Sequence, residues 1–153
     1  MERLGLVLKR AEQALIAEKT RVLQESHLTV PQYAVLLVLL HTPKASAAQL
    51  ARACLVTPQT MATVLSNLEG KGLIERAGSP LHQRVRVAQL TTKGTDLVRR
   101  ADPAVLAVER RLAAAFTADE REAFTEHLER AIATLTPRQH RDGPTHQPGG
   151  EQP

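Results

Sequence analysis

The periodicity of hydrophobic positions in the central third of the chain predicts two short helices joined by a tight turn. The first is predicted from Ser46 to about Cys54 and opens with a capping box, in which the Ser46 hydroxyl and the Gln49 side chain bond early backbone N–H groups. A few residues later, Thr57 is a predicted N-cap, and Pro58 follows at the first helical position, where its missing N–H costs nothing. A second helix therefore starts almost as soon as the first one ends.

The second helix, from Pro58 to Lys71, is predicted to have one apolar and one polar face. Its apolar residues recur at i, i+3, i+4 and i+7, and they are Met61, Val64, Leu65 and Leu68. The opposite face carries short neutral side chains, namely Gln59, Thr60, Thr63, Ser66 and Asn67. A solvated face usually carries Lys and Glu, whereas short neutral donors and acceptors suit a helix that approaches base edges and phosphates closely. We expect Gly72 to end this helix in the left-handed conformation.

Two segments with alternating polarity follow and predict a β-hairpin. They are Leu73–Ala77 and Arg84–Leu90, and the break between them contains Gly78, Ser79 and Pro80. The tip of this hairpin is predicted to present Arg84 to a DNA minor groove or backbone, with Arg86 as the second candidate. A single arginine of this kind is ordinarily a solvated charge, but the order of turn, polar helix face and basic hairpin favours DNA contact.

Apolar stripes on both sides of this module predict further helices. Their residues are Leu4, Leu8, Ala11 and Leu15; Tyr33 to Leu40 after a Thr29–Gln32 capping box; Leu97, Val98, Ala101, Val105, Leu112 and Ala115 after a Thr91 cap; and Phe124, Leu128, Ala131, Ile132 and Leu135 after a Thr117–Glu120 capping box. Pro103 is expected to kink or break its helix. The segment 136–153 is rich in proline and glycine and is expected to be disordered.

Three of these stripes exceed what a small winged helix can bury. We therefore expect residues 1–27 and 97–135 to pair with their copies across a two-fold axis, as dimerisation helices that flank a DNA-binding lobe at 28–96. Residues 1–135 would then form a single unit. Folding of the same helices back within a monomer is the alternative.

Five strings in this sequence resemble the MarR family of bacterial transcriptional regulators, in order and at the family's spacing. They are Leu28–Leu36, Gln49–Arg52, Thr57–Met61, Leu68–Arg76 and Leu90–Gly94. The resemblance implies a mainly α fold with a small β-hairpin wing, a winged helix-turn-helix with flanking dimerisation helices. It also implies a homodimer that binds double-stranded DNA at a palindromic operator, usually as a repressor released by a small-molecule effector or an oxidant. Family members bind effectors in a cleft between the dimerising helices and the winged domain.

The resemblance also assigns positions to the interface. Residues of Pro58–Lys71 would lie in the major groove, and Arg84 matches the wing arginine that enters the minor groove. The family usually has an aspartate two residues before that arginine, which helps to hold the wing in place. His82 stands there in this chain, so we expect a looser wing or a pH-sensitive affinity.

The distribution of charge agrees with a DNA-binding lobe. Residues 44–96 hold seven basic and three acidic residues, so their surplus of +4 equals the net charge of the whole chain. Attraction to phosphates needs such a local surplus more than a global one. We expect phosphate contacts from basic residues and base contacts from the polar helix face, the basic residues being Arg52, Lys71, Arg76, Arg84, Arg86 and Lys93.

The sequence gives no support to an enzyme or a membrane protein. It has no phosphate-binding glycine loop, no GxSxG or HExxH motif, and histidine spacings that match no metal motif, so no catalytic residue, cofactor or metal is predicted. A zinc site built from distant residues such as His41 and His127 is a minor alternative. No apolar run reaches the roughly 18 to 20 residues of a membrane span, and no secretory signal is apparent, so we expect a cytoplasmic protein.

Other interpretations remain open at this stage. The single cysteine, Cys54, is expected to be a small buried hydrophobe, with a redox-sensing thiol as the alternative. A winged helix used for protein contacts is a second rival, although the face from Gln59 to Asn67 lacks the large anchors of protein interfaces. With only three aromatic residues in the chain, a small or aliphatic effector is favoured over a stacked aromatic one.

Overall fold

The computed structural model of the protein describes residues 3–79, 81 and 84–136, and most of them are helical. The helices are α1 (Leu4–Leu23), α2 (Val30–His41), α3 (Ala47–Ala53), α4 (Pro58–Gly70), α5 (Thr92–Ala113) and α6 (Ala118–Leu135), with a 3₁₀ turn at Gln24–Ser26. The strands are β1 (Ala45–Ser46), β2 (Ile74–Gly78) and β3 (Arg86–Leu90). This order confirms the predicted fold class, a mainly α chain with a winged helix-turn-helix at its centre. His82 and the segment from residue 137 onward, for which a loose wing and a disordered tail were expected, lie outside the described residues.

The helices begin at the hydroxyl residues that the sequence predicted. Full capping boxes form at Thr29, Ser46 and Thr117, and the Thr57 side chain accepts a hydrogen bond from the backbone N–H of Thr60. Each cap satisfies a backbone donor that the helix itself leaves unpaired, which stabilises a helix by roughly 1 kcal/mol. Gly72 follows α4 with a φ of +68°, as expected for a left-handed residue after a helix.

The predicted hairpin is confirmed as β2 paired with β3, and a third antiparallel strand, β1, which was not predicted, extends it to a three-stranded sheet. The strand order is β1-β3-β2, with Ala45 opposite Ala88 and Gly78 opposite Arg86. The sequence pattern missed β1 because a two-residue strand has no measurable period, and because Ser46 also serves as the N-cap of α3. Strand β3 begins at Arg86, two residues later than expected.

The contacts divide the chain into two units, Met1–Leu112 and Ala113–Pro153. The first unit contains the core, whose largest fully buried side chains include Leu23, Leu36, Leu39, Leu50, Met61, Leu65, Leu68, Leu73 and Val98. In the second unit, the rings of Phe116 and Phe124 stack with centroids 5.4 Å apart. None of the residues of α6 is buried.

A close backbone contact fixes the start of α5 against the residue before β2. Gly94 is buried, and a Cβ atom at this position would lie only 2.0 Å from the carbonyl oxygen of Leu73. The same carbonyl accepts the Thr91 N–H at 3.1 Å, and the Thr91 hydroxyl accepts the Gly94 N–H at 3.0 Å. Glycine is therefore required where the wing passes into the long helix. Pro103 lies inside α5 and does not break it.

Polar contacts connect α5 to α1 and α2. The hydroxyl of Tyr33 donates to Asp102 at 2.6 Å, and burial together with this carboxylate raises the pKa of Tyr33 well above its usual range. Lys19 of α1 pairs with Glu109 of α5. Glu18 pairs with Arg111 at 3.0 Å and with Arg21, and the hydrogen bonds from these guanidinium groups lower its pKa to about 2.

Candidate nucleic-acid interface

The turn between α3 and α4 closes tightly through backbone hydrogen bonds. The Val56 N–H donates to the Ala51 carbonyl at 3.0 Å, and the Leu55 N–H donates to the Arg52 carbonyl at 3.3 Å. This pair of bonds is a Schellman motif, which ends a helix with one residue in the left-handed conformation. Leu55 is that residue, with a φ of +54°. The motif directs the chain into Thr57, the N-cap of α4.

Helix α4 separates its two faces as the sequence predicted. The residues of the apolar stripe, Met61, Val64, Leu65 and Leu68, are buried in the core. The five predicted base-contacting residues, Gln59, Thr60, Thr63, Ser66 and Asn67, are all exposed. The Thr57 hydroxyl donates to the Thr60 hydroxyl oxygen at 2.9 Å, which orients one side chain at the start of this face. The structure therefore brings these five polar residues together on one solvent-facing surface of α4, which we call the polar face.

The wing places two arginines beside its tip. Arg84 is exposed and precedes β3, and the Val85 carbonyl accepts the Ser79 N–H at 2.7 Å, which closes the base of the loop. Arg86 is also exposed, but its guanidinium donates to the backbone carbonyl of Arg76 at 3.2 Å. Within the part of the chain that the structure describes, Arg84 makes no such hydrogen bond.

Besides Arg86, three of the basic residues predicted to contact phosphates bond groups of their own chain. The Lys71 ammonium donates to the His27 carbonyl at 2.9 Å and to the buried Gln32 side chain at 3.2 Å. Lys93 donates to the Lys71 carbonyl. Arg76 binds Glu69 through two nitrogens, at 2.9 and 2.6 Å, and this pair lowers the pKa of the Glu69 carboxyl. These contacts hold the C-terminal end of α4 against α2 and β2.

The stretch that contains the turn and most of α4 has no acidic residue. Between Ala45 and Leu68 the only charged residue is Arg52, which is exposed near the end of α3. An acidic group would repel a phosphate backbone, and its absence leaves the polar face compatible with close approach to DNA. Glu69, the first acidic residue after this stretch, is neutralised by Arg76.

Cys54 is half-buried at the end of α3, and burial raises the pKa of its thiol. A redox-sensing thiol needs the opposite shift, because the thiolate is the reactive form. This environment favours the structural interpretation. Within residues 3–79, 81 and 84–136, no group of three His, Cys, Asp or Glu residues is placed to hold a metal ion. The same residues include no helix long and apolar enough to span a membrane.

Comparison with known proteins connects this geometry to a family. The MarR family model matches residues 27–85. HTH-type transcriptional repressor Rv2887 of Mycobacterium tuberculosis is 38% identical over 127 residues, which cover 83% of this chain and 91% of the relative.

Two solved structures extend the similarity. Rv2887 in complex with p-aminosalicylic acid has a TM-score of 0.65 and 37% identity, covering 85% of this chain and 98% of that one. The transcriptional repressor CouR bound to a 23-mer DNA duplex has a TM-score of 0.76 and 31% identity. The match covers 86% of this chain and 92% of that one. With this identity and coverage, and with the winged helix-turn-helix in place, the chain belongs to the MarR family of transcriptional regulators.

Proposed function

We propose that this protein is a sequence-specific repressor that binds double-stranded DNA as a homodimer at a palindromic operator and is released by a small molecule. The observation that carries the proposal is the exposed polar face of α4, in a chain whose wing also exposes Arg84. Relatives with this fold include CouR, which was solved on a DNA duplex.

The polar face supplies the chemistry for reading bases. Gln59 and Asn67 each carry an amide, which can both donate and accept, and the bidentate pairing of such amides with adenine is a common specific contact in the major groove. Thr60, Thr63 and Ser66 add hydroxyls that can serve as donor or acceptor. We assign selectivity to these five residues.

Affinity is assigned first to Arg52 and Arg84, which are exposed, and we assign Arg84 to the minor groove. Arg86 is a second candidate, since it is exposed and gives one guanidinium nitrogen to the Arg76 carbonyl. The contacts of Lys71, Arg76 and Lys93 within their own chain support a structural role for them instead.

Exposed apolar side chains on three helices support a dimer. They include Leu4, Leu6, Val7, Leu8 and Ile16 of α1, Leu106 and Leu112 of α5, and Phe124, Ile132 and Leu135 of α6. Leaving so much apolar surface in water is unfavourable, since burial is worth roughly 25 cal/mol per Å². Pairing of these faces across a two-fold axis would place two copies of α4 in successive major grooves about 34 Å apart.

Release by a small molecule is supported by the relative Rv2887, which was solved with p-aminosalicylic acid. An effector that prefers the DNA-free conformation by a few kcal/mol is sufficient to release the operator.

The test starts from a duplex that the purified protein selects from a random 30-base-pair pool. Fluorescence anisotropy then compares this duplex with a scrambled one across a salt series, with and without p-aminosalicylate. We expect a sequence ratio above about 10³ and a steep salt slope, together with a sedimentation mass of two chains. Equal weak binding to both duplexes would contradict the proposal.

A further inference from the structure

The turn before α4 presents an apolar side chain to solvent in an unfavourable backbone conformation. Leu55 is 92% exposed, more than any other large hydrophobic residue in the described part of the chain. Its φ of +54° lies in the left-handed region, where a Cβ atom crowds the following carbonyl. Glycine is the usual residue at this position of a Schellman motif.

Neither packing nor backbone preference accounts for leucine at this position. The motif closes through backbone hydrogen bonds of Leu55 and Val56, which a glycine at position 55 would make equally well. The adjoining Val56 supplies the apolar contact to the core. The fold therefore carries an exposed leucine that it does not need, at a position where leucine is disfavoured. Residues held in such conformations are concentrated at functional sites.

The location of Leu55 indicates which surface it serves. It lies two residues before Thr57, the N-cap of α4, so the two residues are at most about 7 Å apart along the chain. Its exposed neighbours are Arg52, Thr57 and Gln59, and no acidic side chain occurs in this stretch. In a helix-turn-helix, the N-terminal residues of the second helix are the ones that contact base edges. If α4 docks in this way, an apolar group beside these residues lies close to base edges in the major groove.

We propose that Leu55 is a further specificity-determining residue, which packs against the C5-methyl group of a thymine next to the bases contacted by the first turn of α4. The thymine methyl is the only apolar group that a base pair presents in the major groove, and apolar side chains recognise it by contact. This inference rests on the proposed function. It adds an apolar contact to an interface that the sequence described only through polar and basic residues.

The test uses the full-length protein and the duplex that the wild-type protein selects. Leu55→Ala removes the side chain beyond Cβ and keeps the backbone strain, whereas Leu55→Gly removes both. We expect both variants to bind the selected duplex about tenfold more weakly. Leu55→Gly should nevertheless raise the thermal midpoint by about 2–4 °C, because it relieves the left-handed conformation.

His27→Gly is the matched control. His27 is also exposed and left-handed, with a φ of +52°, but it lies at the opposite end of α4, where its carbonyl accepts from Lys71. Glycine keeps that carbonyl. We expect this variant to relieve the same kind of strain without changing affinity for the duplex.

Replacing single thymines of the duplex by uracil removes only the methyl group. At one position in each half-site, the wild-type protein should lose about threefold to fourfold in affinity, and Leu55→Ala should lose nothing further at that position. If Leu55→Ala binds as tightly as the wild type, or if no uracil position shows this coupling, the assignment of Leu55 is wrong and the proposed function stands. If the wild-type protein selects no sequence at all, the proposed function fails and this inference fails with it.

Discussion

Replacing Gly94 with alanine should destabilise the protein even though alanine is the better helix former. Gly94 lies in the first turn of α5, and the alanine Cβ would meet the backbone carbonyl of Leu73 at 2.0 Å. Because such contacts essentially never fall below 3.0 Å, the two segments must separate by about 1 Å in a close-packed region. The obstacle is backbone, so no side-chain rotation can relieve it.

The loss of unfolding free energy in Gly94→Ala follows from three contributions. Overpacking costs about 1–3 kcal/mol, with the upper half expected for a rigid neighbour. Moving the Leu73 carbonyl also weakens its hydrogen bond with the Thr91 N–H, which costs about 1 kcal/mol. Alanine recovers about 1 kcal/mol of helix propensity relative to glycine. The net loss is about 2–3 kcal/mol, or about 5–10 °C in the thermal midpoint of a chain of this size.

Circular dichroism at 222 nm during heating measures this loss, with all variants at one protein concentration because dimerisation would shift the midpoint. Gly5→Ala is the matched control, since Gly5 lies in α1 and a Cβ there would meet nothing within 4 Å. We expect Gly5→Ala to be as stable as the wild type or more stable, by up to about 1 kcal/mol. A Gly94→Ala protein with the wild-type midpoint would refute the close approach of α5 to Leu73.

Three further predictions concern single side chains. Tyr33→Phe removes the hydrogen bond to Asp102 and should cost about 1–2 kcal/mol of unfolding free energy in urea; an unchanged value would contradict the contact. The folded-state pKa of Glu18, about 2, lies below its ordinary 4.5, so its ion pairs stabilise the protein above pH 4.5 and are lost as the pH falls towards 2. The thermal midpoint of Glu18→Gln should therefore lie below the wild-type midpoint at pH 7, and the gap should narrow as the pH falls from 4.5 towards 2, whereas a gap of the same size at pH 7 and pH 3 would argue against these pairs. Cys54, whose pKa is raised by burial, should react with iodoacetamide at pH 7 more slowly than free cysteine; faster reaction would revive the redox hypothesis.

The local parts of the fold could be predicted from the sequence because their causes are local. The caps at Thr29, Ser46, Thr57 and Thr117 each depend on a hydroxyl and a backbone N–H three residues away. The two faces of α4 follow from its helical period. Strand β1 could not be predicted, because its pairing with β3 joins residues about forty positions apart and involves only two residue pairs.

The basic residues show a second limit of prediction from the sequence. Lys71 and Arg84 are both exposed lysine or arginine positions in a basic lobe, so the sequence assigned both to phosphates. Lys71 bonds the carbonyl of His27, 44 positions away in the sequence, and this contact depends on how α4 packs on α2. Arg76 bonds Glu69 across the end of α4 and the start of the wing. Local pattern does not distinguish an arginine that holds the fold together from one that faces a ligand.

Leu55 shows a third limit of prediction from the sequence. The sequence pattern predicts Leu55 only as part of the turn, although it also shows a bulky residue directly after a predicted helix, where glycine is usual. Its exposure and its left-handed φ appear only in the structure.

The central claim is that Arg84 and the polar face of α4 form one DNA interface, and a comparison of two wing arginines tests it most directly. The salt dependence of binding to the selected duplex would be measured by fluorescence anisotropy for the wild type, for Arg84→Ala, and for Arg76→Ala with and without Glu69→Gln. We expect Arg84→Ala to weaken binding and to reduce the slope of log K against log salt by about 1 for each subunit. Arg76→Ala uncovers the charge of Glu69, so adding Glu69→Gln to it, which removes both charges of the pair, should keep the wild-type slope. An Arg84→Ala protein with unchanged affinity and unchanged slope would contradict the account.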